Sequence, residues 1–269
     1  MVTLERWSRL GERVIISGCD VVERLFFFHN PKAGGTSLVQ SLKGLFAAER
    51  QCPRIEDDAT EHAGRAGRYD VFKDYDLYAG HYGRDIYRVV GEGMAAATNF
   101  RWPVDRVVSL YRYYRHAVEI TQVQAQDPRW RAVALAKRLS LSDFVTCDDP
   151  AVVIHTYDHH FRQLTGSGWS PVYESDLASA RALIDQMVWF YVCEHPYESL
   201  AWADMAFAGR LPGVSRLNVT GGRDMAEEAL SAKAYRQLLS QNQNDIALYQ
   251  YALGRLLAEV TPAETRLIA

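Results

Sequence analysis

Phe26-Phe27-Phe28-His29-Asn30-Pro31-Lys32-Ala33-Gly34-Gly35-Thr36-Ser37-Leu38 is the stretch whose reading decides the fold. With Leu25 it begins as a short continuous apolar run, the pattern of a strand buried on both faces. Pro31 has no N–H to give to a ladder, so the strand must end there. Gly34 and Gly35 allow a tight turn and a close backbone approach to a ligand. Thr36 and Ser37 are residue types that cap helix starts, and a helix is predicted from Thr36 to about Ala48. A strand, a glycine turn and a helix start leave free N–H groups and the positive end of a helix dipole aimed at one spot. That is a phosphate cradle, and Lys32 adds a full charge to it. It is not a Walker A loop, in which the lysine follows the glycines; here Lys32 precedes them.

Outward from this stretch, apolar segments alternate with helical ones. Tyr69 to Tyr78 is aromatic-rich and leads into Ala79-Gly80-His81-Tyr82, a strand end that carries a polar residue into a cleft. Met94 to Phe100 is small and apolar and reads as a second buried strand; Trp189 to Cys193 reads as a further short one. Helices are expected over Val104 to Ile120, Trp130 to Leu139, Val152 to Gly166, Asp176 to Met187, Pro196 to Ala208, Ala226 to Gln241 and Asn244 to Val260. Pro103 suits the first turn of the first of these, and Gly166 is a C-cap candidate. This alternation predicts an α/β fold: three layers, with a mainly parallel central sheet covered by helices on both faces. Ligands of such sheets bind at the carboxyl ends of strands. His29 to Ser37, His81 and Arg101 each follow an apolar strand candidate, so three separate regions converge on one edge.

The chain has 269 residues and a formal net charge of -3. One large domain with a sizeable core is expected, residues 1–24 forming a lead-in and 25–260 the core. Nothing in the overall charge gives a basic footprint for nucleic acid. Cys19, Cys52, Cys147 and Cys193 are far apart with no CxxC spacing, which argues against a zinc site or a disulfide framework. Glu56-Asp57-Asp58 is a carboxylate cluster that reads as a solvated face or helix start. The first residues carry frequent charges and no apolar run of signal or anchor type.

The second motif is Thr98-Asn99-Phe100-Arg101-Trp102-Pro103-Val104-Asp105-Arg106-Val107-Val108-Ser109. Arg101 offers a planar fork for phosphate oxygens, and Ser109 a hydroxyl from the following helix. Together the two motifs resemble those of sulfotransferases that use 3′-phosphoadenosine 5′-phosphosulfate (PAPS). Pro-Lys-x-Gly-Gly-Thr-Ser is similar to their 5′-phosphosulfate loop, and Arg-x-Pro-x-x-Arg-x-x-Ser to their 3′-phosphate motif. The resemblance implies a P-loop-like sulfotransferase fold in which Lys32, Ala33, Gly34, Gly35, Thr36 and Ser37 hold the 5′-phosphosulfate. Arg101 and Ser109 would hold the 3′-phosphate, and Arg106 would brace the helix start. Trp102 departs from the pattern, which usually has a small polar or acidic residue there. The product would be 3′-phosphoadenosine 5′-phosphate. No apolar strand ends in a Walker B-type aspartate, so no metal is expected.

Gly80-His81 resembles an element of the uronyl 2-O-sulfotransferase branch, in which the histidine is the proposed base. A neutral hydroxyl is a poor nucleophile, and an imidazole that titrates near neutrality suits its activation. His81 is thus the expected base and Lys32 the group at the leaving oxygen; His29 is the competing base. Asp158 to Gly166 is similar to a segment that borders the acceptor site; separately, Arg84, Arg88, Arg162, His159 and His160 are candidates to line an acidic or hydroxyl-rich acceptor site. Gly221-Gly222-Arg223 is a candidate grip on the 3′-phosphate, with a plain surface turn as its alternative. The implied acceptor is a hydroxyl-bearing small molecule, glycan or glycolipid. The expected location is the bacterial cytoplasm, with no nucleic-acid partner and no membrane segment. The rival expectations are a P-loop nucleotide kinase or NTPase, against which the displaced lysine speaks, and a non-catalytic nucleotide-binding protein of the same fold.

Overall fold

The run Leu25–Phe28 forms β1, and every residue in it is buried. The computed structural model describes residues 22–53, 73–170, 176–212 and 229–261. Most of the lead-in, the Glu56-Asp57-Asp58 cluster and Gly221-Gly222-Arg223 lie outside the described residues. After β1 come α1 (Gly35–Lys43), β2 (Leu77–Gly80), α2 (Arg84–Val90), β3 (Ala95–Phe100) and α3 (Pro103–Arg112). Then follow α4 (Arg131–Arg138), α5 (Leu141–Thr146), α6 (Pro150–Thr156), α7 (His159–Thr165) and α8 (Leu177–Gln186). β4 (Trp189–Val192), α9 (Pro196–Ala206), α10 (Ala232–Gln241) and α11 (Gln243–Val260) complete the described elements.

The strands form one sheet in the order β2-β1-β3-β4, and all its pairings are parallel. Helices flank it, as expected for a three-layer α/β fold. Alternate residues of β1 serve opposite faces. Phe26 and Phe28 both meet the Tyr87 ring of α2, at 5.0 and 5.3 Å between centroids, whereas Phe27 stacks toward Trp189 at 6.4 Å. This two-sided burial is why the sequence shows a continuous apolar run rather than an alternating one.

The chain leaves β1 toward β2 on one side and leaves β3 toward β4 on the other. Neighbouring strands β1 and β3 therefore send their connections in opposite directions, which opens a crevice at their carboxyl ends. The register sets Phe28 beside Gly80 and beside Thr98, so His29, His81 and Asn99 all emerge at that edge.

Several predicted helices are divided or shortened. The helix expected to reach Ile120 is α-helical only to Arg112, then widens into a π turn over Tyr113–Ala117. The single helix expected over Val152 to Gly166 is two, α6 and α7, because Asp158 between them adopts a left-handed backbone with φ 39°. The Asp158 carboxylate turns away to cap another helix: it accepts from the Asn244 and Asp245 N–H groups of α11 at 3.1 and 3.0 Å. Asp245 returns the service, accepting from Phe161 N at 2.7 Å and His160 N at 3.3 Å in the first turn of α7. Each helix start thus borrows its cap from the other, a long-range exchange with no local sequence signature.

Candidate functional site

The loop between β1 and α1 is held by a residue of β3. Asn99 is fully buried; its Oδ1 accepts from the Asn30 N–H at 2.8 Å. Its Nδ2 donates to the Asn30 and Ala33 carbonyls at 2.9 and 2.7 Å. One amide therefore fixes both ends of the turn across the crevice. Gln163 of α7 ties in the adjoining strand ends, donating to the carbonyls of His29 at 3.2 Å and Tyr82 at 2.9 Å. Neither role is visible in the sequence, because each depends on partners far along the chain. The one available signal is that polar Thr98 and Asn99 interrupt an otherwise apolar strand near its end.

Gly34 has φ 75° and is the N-cap of α1, so it brings no side-chain acceptor to the helix start. Thr36 and Ser37, expected at the cap, lie two and three positions beyond it, inside the first turn. A helix start without a side-chain cap presents N–H groups and a positive dipole end. Gly35 is required for a steric reason: a Cβ there would overlap the His29 ring and press on Asn99. Ala33 is fully buried beneath the turn.

Lys32 also has a left-handed backbone, φ 67°. Its carbonyl accepts from Arg101 Nη1 at 3.1 Å, and its Nζ lies 3.9 Å from the centroid of the Tyr113 ring. Burial, and then the charge on Arg101, push the Lys32 ammonium down to about 8. Among the described residues neither cation forms an ion pair. Two adjacent cations beside an uncapped helix start, with no carboxylate to neutralise them, are suited to an anion. Ser109 precedes Tyr113 by one helical turn and so shares its face of α3. Arg101 reaches the loop itself, which makes the two expected phosphate subsites adjoin.

His29 and His81 emerge side by side from β1 and β2, their rings 4.8 Å apart. His29 is buried against Gly35, while His81 is half-buried and also meets Trp169 at 5.9 Å. His81 is thus the more accessible of the two candidate bases. Trp102, the departure from the motif, packs edge-on against Tyr249 at 5.5 Å. Its backbone N–H donates to Glu194 Oε1 at 2.9 Å, and the Tyr249 hydroxyl donates to Glu194 Oε2 at 3.2 Å, so the end of β3 is anchored to α11.

The acceptor-lining candidates are placed differently from the sequence expectation. Arg162 is buried, and its guanidinium donates to the carbonyls of Tyr157, Gly168, Ser170 and Ile154. That is a loop-bracing role. His159 is buried under Trp169, and burial together with Arg106 and Arg162 holds its pKa well below the ordinary value. His160 is buried against Thr98 Oγ1 at 2.9 Å. The Thr98 hydroxyl gives its one proton to the Phe28 carbonyl at 2.7 Å, so His160 donates from Nε2, and burial, which with Arg106 pushes its pKa down to about 3, keeps the ring neutral. Arg84 is tied to Ser179 of α8 through its hydroxyl at 2.6 Å and its carbonyl at 3.3 Å. Arg88 is exposed on α2. Arg106 is buried and donates to the His155 carbonyl at 2.7 Å, so it ties α3 to α6. Burial pushes the Cys193 thiol, beside Gly34, up to about 12, which makes it an inert packing group.

Neither a known family model nor a characterised protein sequence matches this chain. Among the described residues no cluster of His, Cys, Asp or Glu could hold a metal ion, and no helix is long and apolar enough to cross a membrane.

Proposed function

We propose that this chain is a PAPS-dependent sulfotransferase that transfers a sulfuryl group to a hydroxyl of a carbohydrate or glycoconjugate. The observation that carries the reading is the pairing of Lys32 with Arg101 beside the start of α1, with no ion pair to either among the described residues. In PAPS the phosphosulfate would lie over Lys32, Ala33, Gly34, Gly35, Thr36 and Ser37, and the 3′-phosphate toward Arg101 and Ser109.

The proposed step is an in-line displacement at sulfur. His81 takes the proton of the acceptor hydroxyl as its oxygen forms the new S–O bond. The S–O bond to the 5′-phosphate breaks, and its electron pair leaves with 3′-phosphoadenosine 5′-phosphate. Lys32 and the loop N–H groups stabilise the charge that develops on the departing oxygen. The His29 ring, wedged between Gly35 and His81, orients the base and closes the loop from below.

The test is PAPS turnover against a panel of sugars, phenols and lipids, with His81→Ala beside the wild type. General-base removal is expected to lower turnover by roughly a hundredfold or more while nucleotide affinity stays unchanged. Full turnover by His81→Ala would move the base to His29. No transfer to any acceptor, together with tighter binding of ATP and Mg²⁺ than of 3′,5′-ADP, would replace the reading with a nucleotide kinase or NTPase.

A further inference from the structure

A circuit of rings begins and ends on the glycine loop. Lys32 Nζ lies over Tyr113, whose ring is 6.0 Å from Tyr114. Tyr114 meets His155 edge-on at 5.5 Å, and His155 meets Trp169 at 5.3 Å. Trp169 meets His81 at 5.9 Å, and His81 meets His29 at 4.8 Å, where the ring touches the loop again beside Gly35. Five separate parts of the chain supply this collar: the β1 end, the β2 end, the π turn after α3, α6 and the segment after α7. Every member but His29 is part-exposed, and Tyr113 keeps 42% of its surface.

The collar is also short of charge. Burial, with Arg106 and Arg162 nearby, pushes His155 down to about 3, so it is neutral at any working pH. The guanidinium groups closest to it are engaged with backbone: Arg106 with His155 O and Arg162 with four carbonyls. Arg115 is committed to Ala136 O and Leu139 O at 2.9 and 3.0 Å. Lys32 and Arg101 face the loop, where the nucleotide is proposed to bind. Among the described residues, then, these rings offer a carboxylate on the acceptor desolvation beside guanidinium groups already engaged with backbone carbonyls, whereas the flat face of a neutral ring would be well received.

We propose that this collar receives an uncharged ring-shaped alcohol, a neutral pyranose or a phenol, stacked on Trp169 with its hydroxyl presented to His81. This rests on the sulfotransferase reading and selects within it against uronate acceptors. Trp169 is then a specificity-determining residue.

The test is run on protein saturated with 3′,5′-ADP, with acceptor binding measured by calorimetry and turnover measured with PAPS. Methyl β-D-glucopyranoside and methyl β-D-glucuronide differ at one carbon, and 2-naphthol separates an aromatic from a sugar ring. The glucoside or the naphthol should bind, and react, at least tenfold better than the glucuronide. Trp169→Ala should raise the acceptor KM at least tenfold, Trp169→Phe should restore most of it, and 3′,5′-ADP affinity should not change in either. A preference for the glucuronide, or no acceptor binding to the nucleotide complex, overturns the proposal while leaving the sulfotransferase reading in place. So does a Trp169→Ala variant that loses nucleotide affinity instead, since the ring would then belong to the adenosine. Failure of 3′,5′-ADP to bind the wild type removes both readings.

Discussion

Lys32 holds a left-handed backbone, φ 67°, that costs a non-glycine residue roughly 1–2 kcal/mol. The conformation is retained because the carbonyl is bonded to Arg101 and the ammonium is set on Tyr113. Backbone strain of this kind concentrates at ligand sites. The same placement makes Lys32 a pH-dependent binder. Burial and Arg101 bring its pKa to about 8 in the free protein, and an anion needs it protonated. Affinity for 3′,5′-ADP should therefore be flat up to about pH 8 and fall above it, by as much as about tenfold per pH unit. Lys32→Met should bind weakly with no such slope. Titration calorimetry from pH 7 to 10 checks this, and a wild-type affinity that does not change across that range contradicts it. Lys32 and the two glycines are legible in the sequence because they are contiguous. The acceptor arginines are not, because an Arg bound to four backbone carbonyls and an Arg facing a substrate look the same in one dimension.

Elements are positioned here by buried polar side chains that reach between them. Asn99 holds the β1–α1 loop from β3 with three hydrogen bonds. Asn99→Ala would strand a buried N–H and two carbonyls, and should cost about 2–4 kcal/mol of stability and weaken nucleotide binding. Denaturant unfolding measures the first and calorimetry the second; a loss under ~0.5 kcal/mol would show that the loop is held elsewhere. The exchanged caps of α7 and α11 make a second prediction. Burial, and then the neighbouring Asp245 charge, raise Asp158 from its ordinary 3.8 to about 6, and burial raises Asp245 in the same direction. The native state then holds protons that the unfolded chain has released. This contribution to stability is complete below about pH 4 and disappears as pH rises through about 6. Asp158→Asn retains a capping oxygen and removes the charge, so it should flatten stability between pH 4 and 6. A wild-type contribution that instead grows across that window would contradict the account. The split between α6 and α7 escapes the sequence for the same reason: its cause is a helix start some distance along the chain.

At the scale of the molecule, the α/β class follows from Leu25–Phe28 and Trp189–Val192, which are unbroken apolar runs, and from Ala95–Phe100, which is apolar but for Thr98 and Asn99. The strand order is not written there, since parallel neighbours share no local turn that would specify their pairing. That order, β2-β1-β3-β4, is what opens the crevice between β1 and β3 and gathers Lys32, His81 and Arg101 at one edge. The convergence could be expected from the general rule for such sheets; the ring collar around it could not, because its members come from five distant segments. The central claim is that this edge holds a nucleotide bearing a 3′-phosphate, and comparative calorimetry with 3′,5′-ADP, 5′-AMP and ATP with Mg²⁺ tests it most directly. The account predicts that 3′,5′-ADP binds at least tenfold more tightly than 5′-AMP and that Arg101→Ala removes most of the difference. Equal affinity for 3′,5′-ADP and 5′-AMP, or a preference for ATP with Mg²⁺, would contradict it.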